Sequence, residues 1–183
     1  MPEDGLTLRG VCVLDLSEDI AGPFCGKLLA GLGAEVIKVE RPGSGDVSRR
    51  AGPGLGATPQ LEQSALFLYL NTSKKSVTLD VGSRTGATIL RGLAQECDLL
   101  IESFPPGYLH QLGLGYAALS ELNPRLIYTS VTAFGQSGPY HELKGSELIA
   151  QAMGGLMQTI GLPDREPLKI GGNVASYTTG MSA

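Results

Sequence analysis

Hydrophobic and polar positions along this chain fall into short blocks that alternate between strand-like and helix-like spacing. Val11–Leu16 is a nearly continuous apolar run bounded by Gly10 and Ser17, the pattern of a central strand covered on both faces. Gly22–Leu32 shifts to a helical period that places Phe24, Leu28, Leu29 and Leu32 on one face. Pro23 is tolerated there in the first turn, and Gly33 supplies the stop. Glu35–Val39 predicts a second strand. Arg41–Gln60 has no period and is rich in glycine, proline and charge, which predicts a long functional or mobile loop.

The alternation continues downstream. Leu66–Leu70 is short and apolar, and Ser76–Leu79 predicts a third strand. Arg84–Glu96 predicts a helix packed through Ala87, Leu90 and Ala94, followed by a strand over Asp98–Ile101. Ser103–Gly107 is a turn, Tyr116–Leu122 a short helix and Leu126–Val131 a fifth strand. Gly135–Gly145 is a second glycine loop. Ser146–Met157 predicts a helix capped by Ser146, with Leu148, Ala152 and Leu156 on its packed face. The last residues, from Tyr177, predict the beginning of a helix that stops short. Strands and helices in this order predict an α/β fold class: a Rossmann-like, mostly parallel sheet with helices on both faces. Such sheets bind ligands at the carboxyl ends of their strands.

Composition narrows the function. The 183 residues are enough for one domain with a core, or for a piece of a larger protein, and 26 glycines suit a fold with many tight turns. A net charge of −4 without a basic stripe argues against a nucleic-acid partner, but leaves room for a small phosphorylated ligand. Cys12, Cys25 and Cys97 are few and apolar in setting, which predicts separate buried thiols in a reducing compartment. No cluster has metal-ligand spacing, so no metal is expected. The opening MPEDGLTLRG is too polar for a signal peptide, and no apolar run approaches the roughly 18 residues of a membrane span. The expectation is a cytoplasmic protein with no membrane partner. Neither Gly-x-Gly-x-x-Gly nor a phosphate loop is present.

Longer motifs are more specific. AGPFCGKLLAGLGAEVIKVERPGSGDVSR, LNTSKKSVTLD, LLIESFPPGYLHQLGLGY, LNPRLIYTSVTAFGQSGPY and ELIAQAMGGLMQTIG together closely resemble the class III coenzyme A transferases, from about Leu6 to Ala183. That family includes carnitine-type CoA transferases and α-methylacyl-CoA racemases. The resemblance implies a coenzyme A or acyl-CoA substrate at the strand ends, no tightly bound cofactor, and a small carboxylic acid as the second substrate. Family chains are much longer: they continue into a small domain, return, and interlock as a homodimer. Residues 1–183 therefore resemble the N-terminal part of the large CoA-binding domain, with the small domain and returning segment absent. In a multidomain protein, the chain would instead be an additional domain of the same polypeptide.

The resemblance also assigns candidate residues. Arg49 and Lys75 stand where the family carries cations suited to phosphate oxygens. Ser103 and Phe104 open the turn near the nucleotide end of coenzyme A, where Phe104 either offers its ring to adenine or packs in the core. The family turn usually reads Asn-Phe-Arg-Pro-Gly, so Pro105 removes one cation. Glu147 falls on the position taken to be the family's catalytic aspartate. A carboxylate there attacks the thioester to form an anhydride, and the CoA thiolate converts this to an enzyme-bound thioester. The glycines Gly135 and Gly138, and the pair Gly154–Gly155, would let backbone amides approach the oxyanion.

Two departures cut against activity. Glutamate extends the carboxylate by one methylene, about 1.5 Å, and a displacement of that size costs on the order of 10²-fold in rate. Ser176 stands where the family commonly has a second carboxylate. CoA transfer through a carboxylate-bound acyl group is the leading expectation for the full-length protein, the fragment alone being inactive. The alternatives are a degenerate domain serving binding or dimerisation, and a racemase or dehydratase acting on an acyl-CoA. His110 is expected at the surface, and His141 lies in the glycine loop near Glu147 in sequence.

Overall fold

The protein is described by a computed structural model over residues 6–54 and 61–183. Five strands form one parallel sheet: β1 (Cys12–Asp15), β2 (Glu35–Glu40), β3 (Lys75–Thr78), β4 (Leu99–Glu102) and β5 (Ile127–Ser130). Their order is β3-β2-β1-β4-β5. The chain thus builds outward from β1 in one direction and then crosses back to place β4 on its other side. Register is parallel throughout, with Val13 opposite Val36 on one side and opposite Leu99 on the other.

Among the described residues seven α-helices connect the strands or follow the sheet: α1 (Ala21–Gly31), α2 (Ala65–Leu70), α3 (Arg84–Glu96), α4 (Tyr108–Gln111), α5 (Tyr116–Leu122), α6 (Glu147–Met153) and α7 (Val174–Ser182). The sheet separates two cores because neighbouring strand residues point to opposite faces. Leu14, Leu100, Leu90, Ala94 and Leu119 pack on one face, while Val13, Ile101, Val36 and Cys25 pack on the other. The predicted packing face of α3 is observed: Ala87, Leu90 and Ala94 are buried, and Ser83 caps the helix by accepting from the Gly86 amide at 3.0 Å.

Several expectations are corrected. The predicted face of α1 is only partly packed: Leu29 lies against the Val13–Val36 core and Phe24 against Tyr177, but Leu28 and Leu32 are 39% and 50% exposed, while Gly22, Pro23, Cys25 and Gly26 are buried. The reason lies beneath the helix. A Cβ on Gly22 would collide with Ser17, and one on Gly26 would press on the Asp15 carboxylate and the Lys74 ammonium. Small residues here let α1 settle over buried charge.

In α6 the buried residue is Gln151, whereas Leu148 and Ala152 face outward and the helix ends at Met153. Leu156 begins a separate 3-10 turn beyond the left-handed Gly155. The last helix begins at Val174 rather than near Tyr177, and it packs across α1, with Gly180 against the Ala21 carbonyl. Cys12 and Cys97 are brought together as a disulfide pair, their Cα atoms 4.7 Å apart, and Cys25 alone is a free buried thiol. They meet because Cys12 opens β1 and Cys97 stands two residues before its neighbour β4. Leu66–Leu70 is helical, as part of α2. Residues 55–60 of the expected 41–60 loop lie outside the described residues.

Candidate functional site

Buried charge organises the carboxyl ends of β1 and β2. Asp15 ends β1 and pairs with Lys74 at 2.7 Å; Lys38, on β2, pairs with Asp46 at 2.7 Å. All four side chains are within 1% of complete burial. Lys74 also donates to the Pro23 carbonyl at 2.7 Å and to Asn71 Oδ1 at 2.9 Å, and Lys38 donates to the Ser17 carbonyl. Burial pushes the Asp15 carboxyl up, but Lys38 and Lys74 more than offset it and hold the group below the usual carboxylate range. Asp46 accepts from the Asp19 amide at 3.1 Å and from the Ser48 amide and hydroxyl, both at 2.8 Å. The loop after β1 and the glycine turn after β2 are therefore fixed to one another. Asp19 takes a left-handed φ of 70° in that loop.

Two cavities open above these strand ends. The larger, about 510 Å³, is lined by Asp19, Ile20, Gly52, Tyr69, Glu147, Asn173, Ser176 and Tyr177, among others. Tyr177 is backed by Phe24, which packs edge-on to it at 4.9 Å between ring centroids. The smaller, about 430 Å³, lies beyond β4 and β5 and includes Glu102, Pro105, His110, Tyr128, Ser130 and Gln136. Burial raises the Glu102 carboxyl despite hydrogen bonds from Ser130 and the Phe104 amide. It raises the Tyr128 hydroxyl as well, with Glu102 adding to the effect.

Glu147 begins α6 and points its carboxylate at the start of α7. Oε1 accepts from Gln151 Nε2 and from the Ala175 amide, each at 2.7 Å. Oε2 accepts from the Ser176 amide at 3.0 Å and from the Ser176 hydroxyl at 2.7 Å. Partial burial pushes this carboxyl up, but the four hydrogen bonds prevail and hold it below its ordinary value. Burial and the negative charges of Asp46 and Glu147 raise Asp19 across the same cavity. Gln151 is itself fixed, its Oε1 accepting from the Ile170 amide at 2.9 Å.

The other sequence candidates do not gather around Glu147. Arg49 grips Glu40 through Nε and a second nitrogen at 2.7 and 2.9 Å, reaches Glu62 at 3.0 Å, and lies over the Phe67 ring. Its donors face the protein. Lys75 stands opposite Ile37, midway along β2, and its ammonium pairs with Glu35, the first residue of β2, at 2.6 Å. Ser103 accepts from the Glu18 amide at 2.8 Å, and Phe104 stacks on Tyr108 at 5.1 Å while packing against the core. Gly135 and Gly138 both adopt left-handed φ values in the loop after β5. Gln136, beside Gly135, lines the smaller cavity. The amides that reach Glu147 come instead from Ala175 and Ser176. His110 is exposed, and His141 bonds the Gly138 carbonyl through Nδ1 at 2.6 Å.

Sequence reasoning missed Asp15, Lys74, Asp19 and Gln151. Asp15 and Lys74 are separated by 59 positions, which no local pattern links. Gln151 did carry a signal: it stands four residues after Glu147 on the same helical face. Among the described residues no group of histidine, cysteine, aspartate or glutamate has metal-binding geometry, and no helix is long and apolar enough to cross a membrane.

Comparison with known proteins adds four findings. The family described as CoA-transferase family III matches residues 8–183. The chain is 42% identical over 176 residues to succinyl-CoA:glutarate CoA-transferase of Mus musculus, covering 96% of this chain and 39% of that protein. It is 41% identical over 174 residues to formyl-CoA:oxalate CoA-transferase of Rhodopseudomonas palustris strain HaA2, covering 95% of this chain and 40% of the relative. Among solved structures, a CAIB/BAIF family protein from Brucella suis superposes with a TM-score of 0.88 at 42% identity, covering 96% of this chain and 46% of that one. The chain thus spans less than half the length of these relatives.

Proposed function

This chain belongs to CoA-transferase family III, and we propose that it forms the CoA-thioester-binding, N-terminal part of the large domain of a protein that moves CoA between an acyl-CoA and a small carboxylic acid. The observation that carries this reading is the position of Glu147: an ionised carboxylate held by two backbone amides on the wall of a 510 Å³ cavity at the strand ends. The names of the relatives point to short acids such as succinate, glutarate, formate and oxalate as the substrate class. Their greater length leaves room for a further domain and for an interlocked dimer, both of which belong to the proposal.

The chemistry follows from a fixed carboxylate. A Glu147 oxygen bonds to the acyl carbon, the carbon–sulfur bond breaks, and CoA leaves as thiolate, giving a mixed anhydride. The thiolate then attacks the glutamyl carbon, releasing the first acid and leaving CoA on Glu147. An acceptor carboxylate displaces that CoA, which in turn takes the acceptor's acyl group and restores Glu147. As the first bond forms, negative charge leaves the carboxylate for the thioester oxygen. In this reading the amides of Ala175 and Ser176, which bond the Glu147 oxygens, are the donors that follow it.

A second reading is favoured by one observation. Each oxygen of Glu147 already accepts two hydrogen bonds, so attack requires a donor to be released. In that reading the chain binds CoA or a partner domain without covalent chemistry. CoA exchange between succinyl-CoA and glutarate or oxalate, measured on the full-length protein and its Glu147→Gln variant, tests the choice. Exchange abolished by Glu147→Gln supports transfer; CoA binding without exchange supports the second reading.

A further inference from the structure

The loop after β1 carries an acidic side chain into the place where a parallel sheet of this order receives its ligand. β1 has β2 on one side and β4 on the other, so the order in which strands are added reverses at the β1–β4 boundary. Glu18 lies over that boundary and is pinned from both sides. Its amide donates to Ser103 Oγ, in the turn after β4, at 2.8 Å, and its carboxylate accepts from Arg41 Nε, just past β2, at 3.0 Å. It also stands between the two cavities: Asp19, the next residue, lines the larger, and Pro105, two residues past Ser103, lines the smaller.

The surrounding cations give this pair its meaning. Lys38 and Lys74 are buried and committed to Asp46 and Asp15, and Arg49 is committed to Glu40 and Glu62. Arg41 differs, because its side chain is 60% exposed and its ion-pair partner is the carboxylate lying over the boundary. A carboxylate and a phosphate oxygen compete for the same face of a guanidinium. An ion pair this exposed is weak and readily opened.

We propose that Glu18 is a specificity-determining residue of this site: its carboxylate occupies the anion position on Arg41, and a phosphorylated ligand gains Arg41 only by displacing it. The reading of that ligand as a CoA thioester rests on the function proposed above, whereas the competition for Arg41 does not. Glu18 therefore sets how strongly the crevice discriminates against anions, and a neutral residue there relaxes the discrimination. The Ser103 contact uses the backbone of Glu18, so Glu18→Gln leaves the loop anchored.

Calorimetric titration of the full-length protein with inorganic pyrophosphate and, separately, with coenzyme A tests this for the native sequence, Glu18→Gln, Arg41→Gln and the double variant. Glu18→Gln is expected to bind pyrophosphate about fivefold tighter than the native protein. Arg41→Gln is expected to bind it more weakly, and the double variant to lose the gain. Pyrophosphate affinity that is absent, unchanged or weakened in Glu18→Gln overturns the proposal. If the variant gains pyrophosphate affinity while coenzyme A binds no tighter than pyrophosphate, the role of Glu18 stands and the CoA reading falls.

Discussion

Ser176 donates both its hydroxyl and its amide to one oxygen of Glu147, at 2.7 and 3.0 Å, joining the start of α7 to the start of α6 across 29 residues of sequence. Both residues stand out in the sequence as departures from the pattern the chain resembles, as Pro105 does, and these two meet in space. Two carboxylates held this close would share a proton, because both cannot ionise without strong repulsion. A serine beside a glutamate removes that conflict and supplies a donor. The two departures are complementary.

Ser176→Ala removes one of the four donors and keeps the backbone bonds. The Glu147 carboxyl should then titrate closer to its ordinary value, and the fold should lose about 1 kcal/mol. Ser176→Asp should move the titration further upward by placing a second carboxylate against the first. Carboxyl-labelled NMR titration of Glu147 in the two variants reads both effects.

Gly180 lets α7 lie directly on α1, since a Cβ there would strike the Ala21 carbonyl. Gly180→Ala is expected to cost roughly 1–3 kcal/mol in denaturant unfolding, the range for overpacking a close contact. It should also pull the Ala175 and Ser176 amides from Glu147, so the same variant raises the Glu147 titration midpoint. An unchanged midpoint with full loss of stability would separate the helix contact from the site.

Glu40 provides a pH test. Burial pushes its carboxyl up, but the Arg49 fork, the Asp46 amide and the Ser76 hydroxyl bring it from 4.5 down to about 2. A folded-state value below the unfolded one stabilises the protein above pH 4.5, and that contribution is lost as pH falls towards 2. The shift corresponds to about 3 kcal/mol. Arg49→Met should therefore move the acid-unfolding midpoint to higher pH, with a smaller change in stability near pH 2 than near neutrality.

Lys74→Met leaves the buried Asp15 carboxylate without its ion-pair partner and is expected to cost about 3 kcal/mol. Adding Asp15→Asn should recover part of that loss, because the uncompensated charge is gone. Urea unfolding of the two single variants and the double variant gives the coupling directly.

The sheet was legible because its strands are local apolar runs and α3 repeats its apolar residues at helical spacing. The face of α1 was not, because Leu28 and Leu32 outweigh Gly22 and Gly26 in any hydrophobic count, whereas packing is decided by charge lying under the glycines. That charge joins Asp15 to Lys74 and Lys38 to Asp46 over distances that periodicity does not reach. Lys74 and Lys75 are adjacent in sequence, yet their ammonium groups part: Lys74 is buried on Asp15 and Lys75 is exposed on Glu35. Glu147 was singled out by its surrounding motif, but its donors on α7 became visible only when the chain folded back.

Chemical trapping tests the central claim most directly. The full-length protein is incubated with acyl-CoA, reduced with borohydride and mapped by peptide mass spectrometry. Reduction of the Glu147 side chain to an alcohol, dependent on acyl-CoA, is the predicted result. An unmodified Glu147 in protein saturated with acyl-CoA would contradict it.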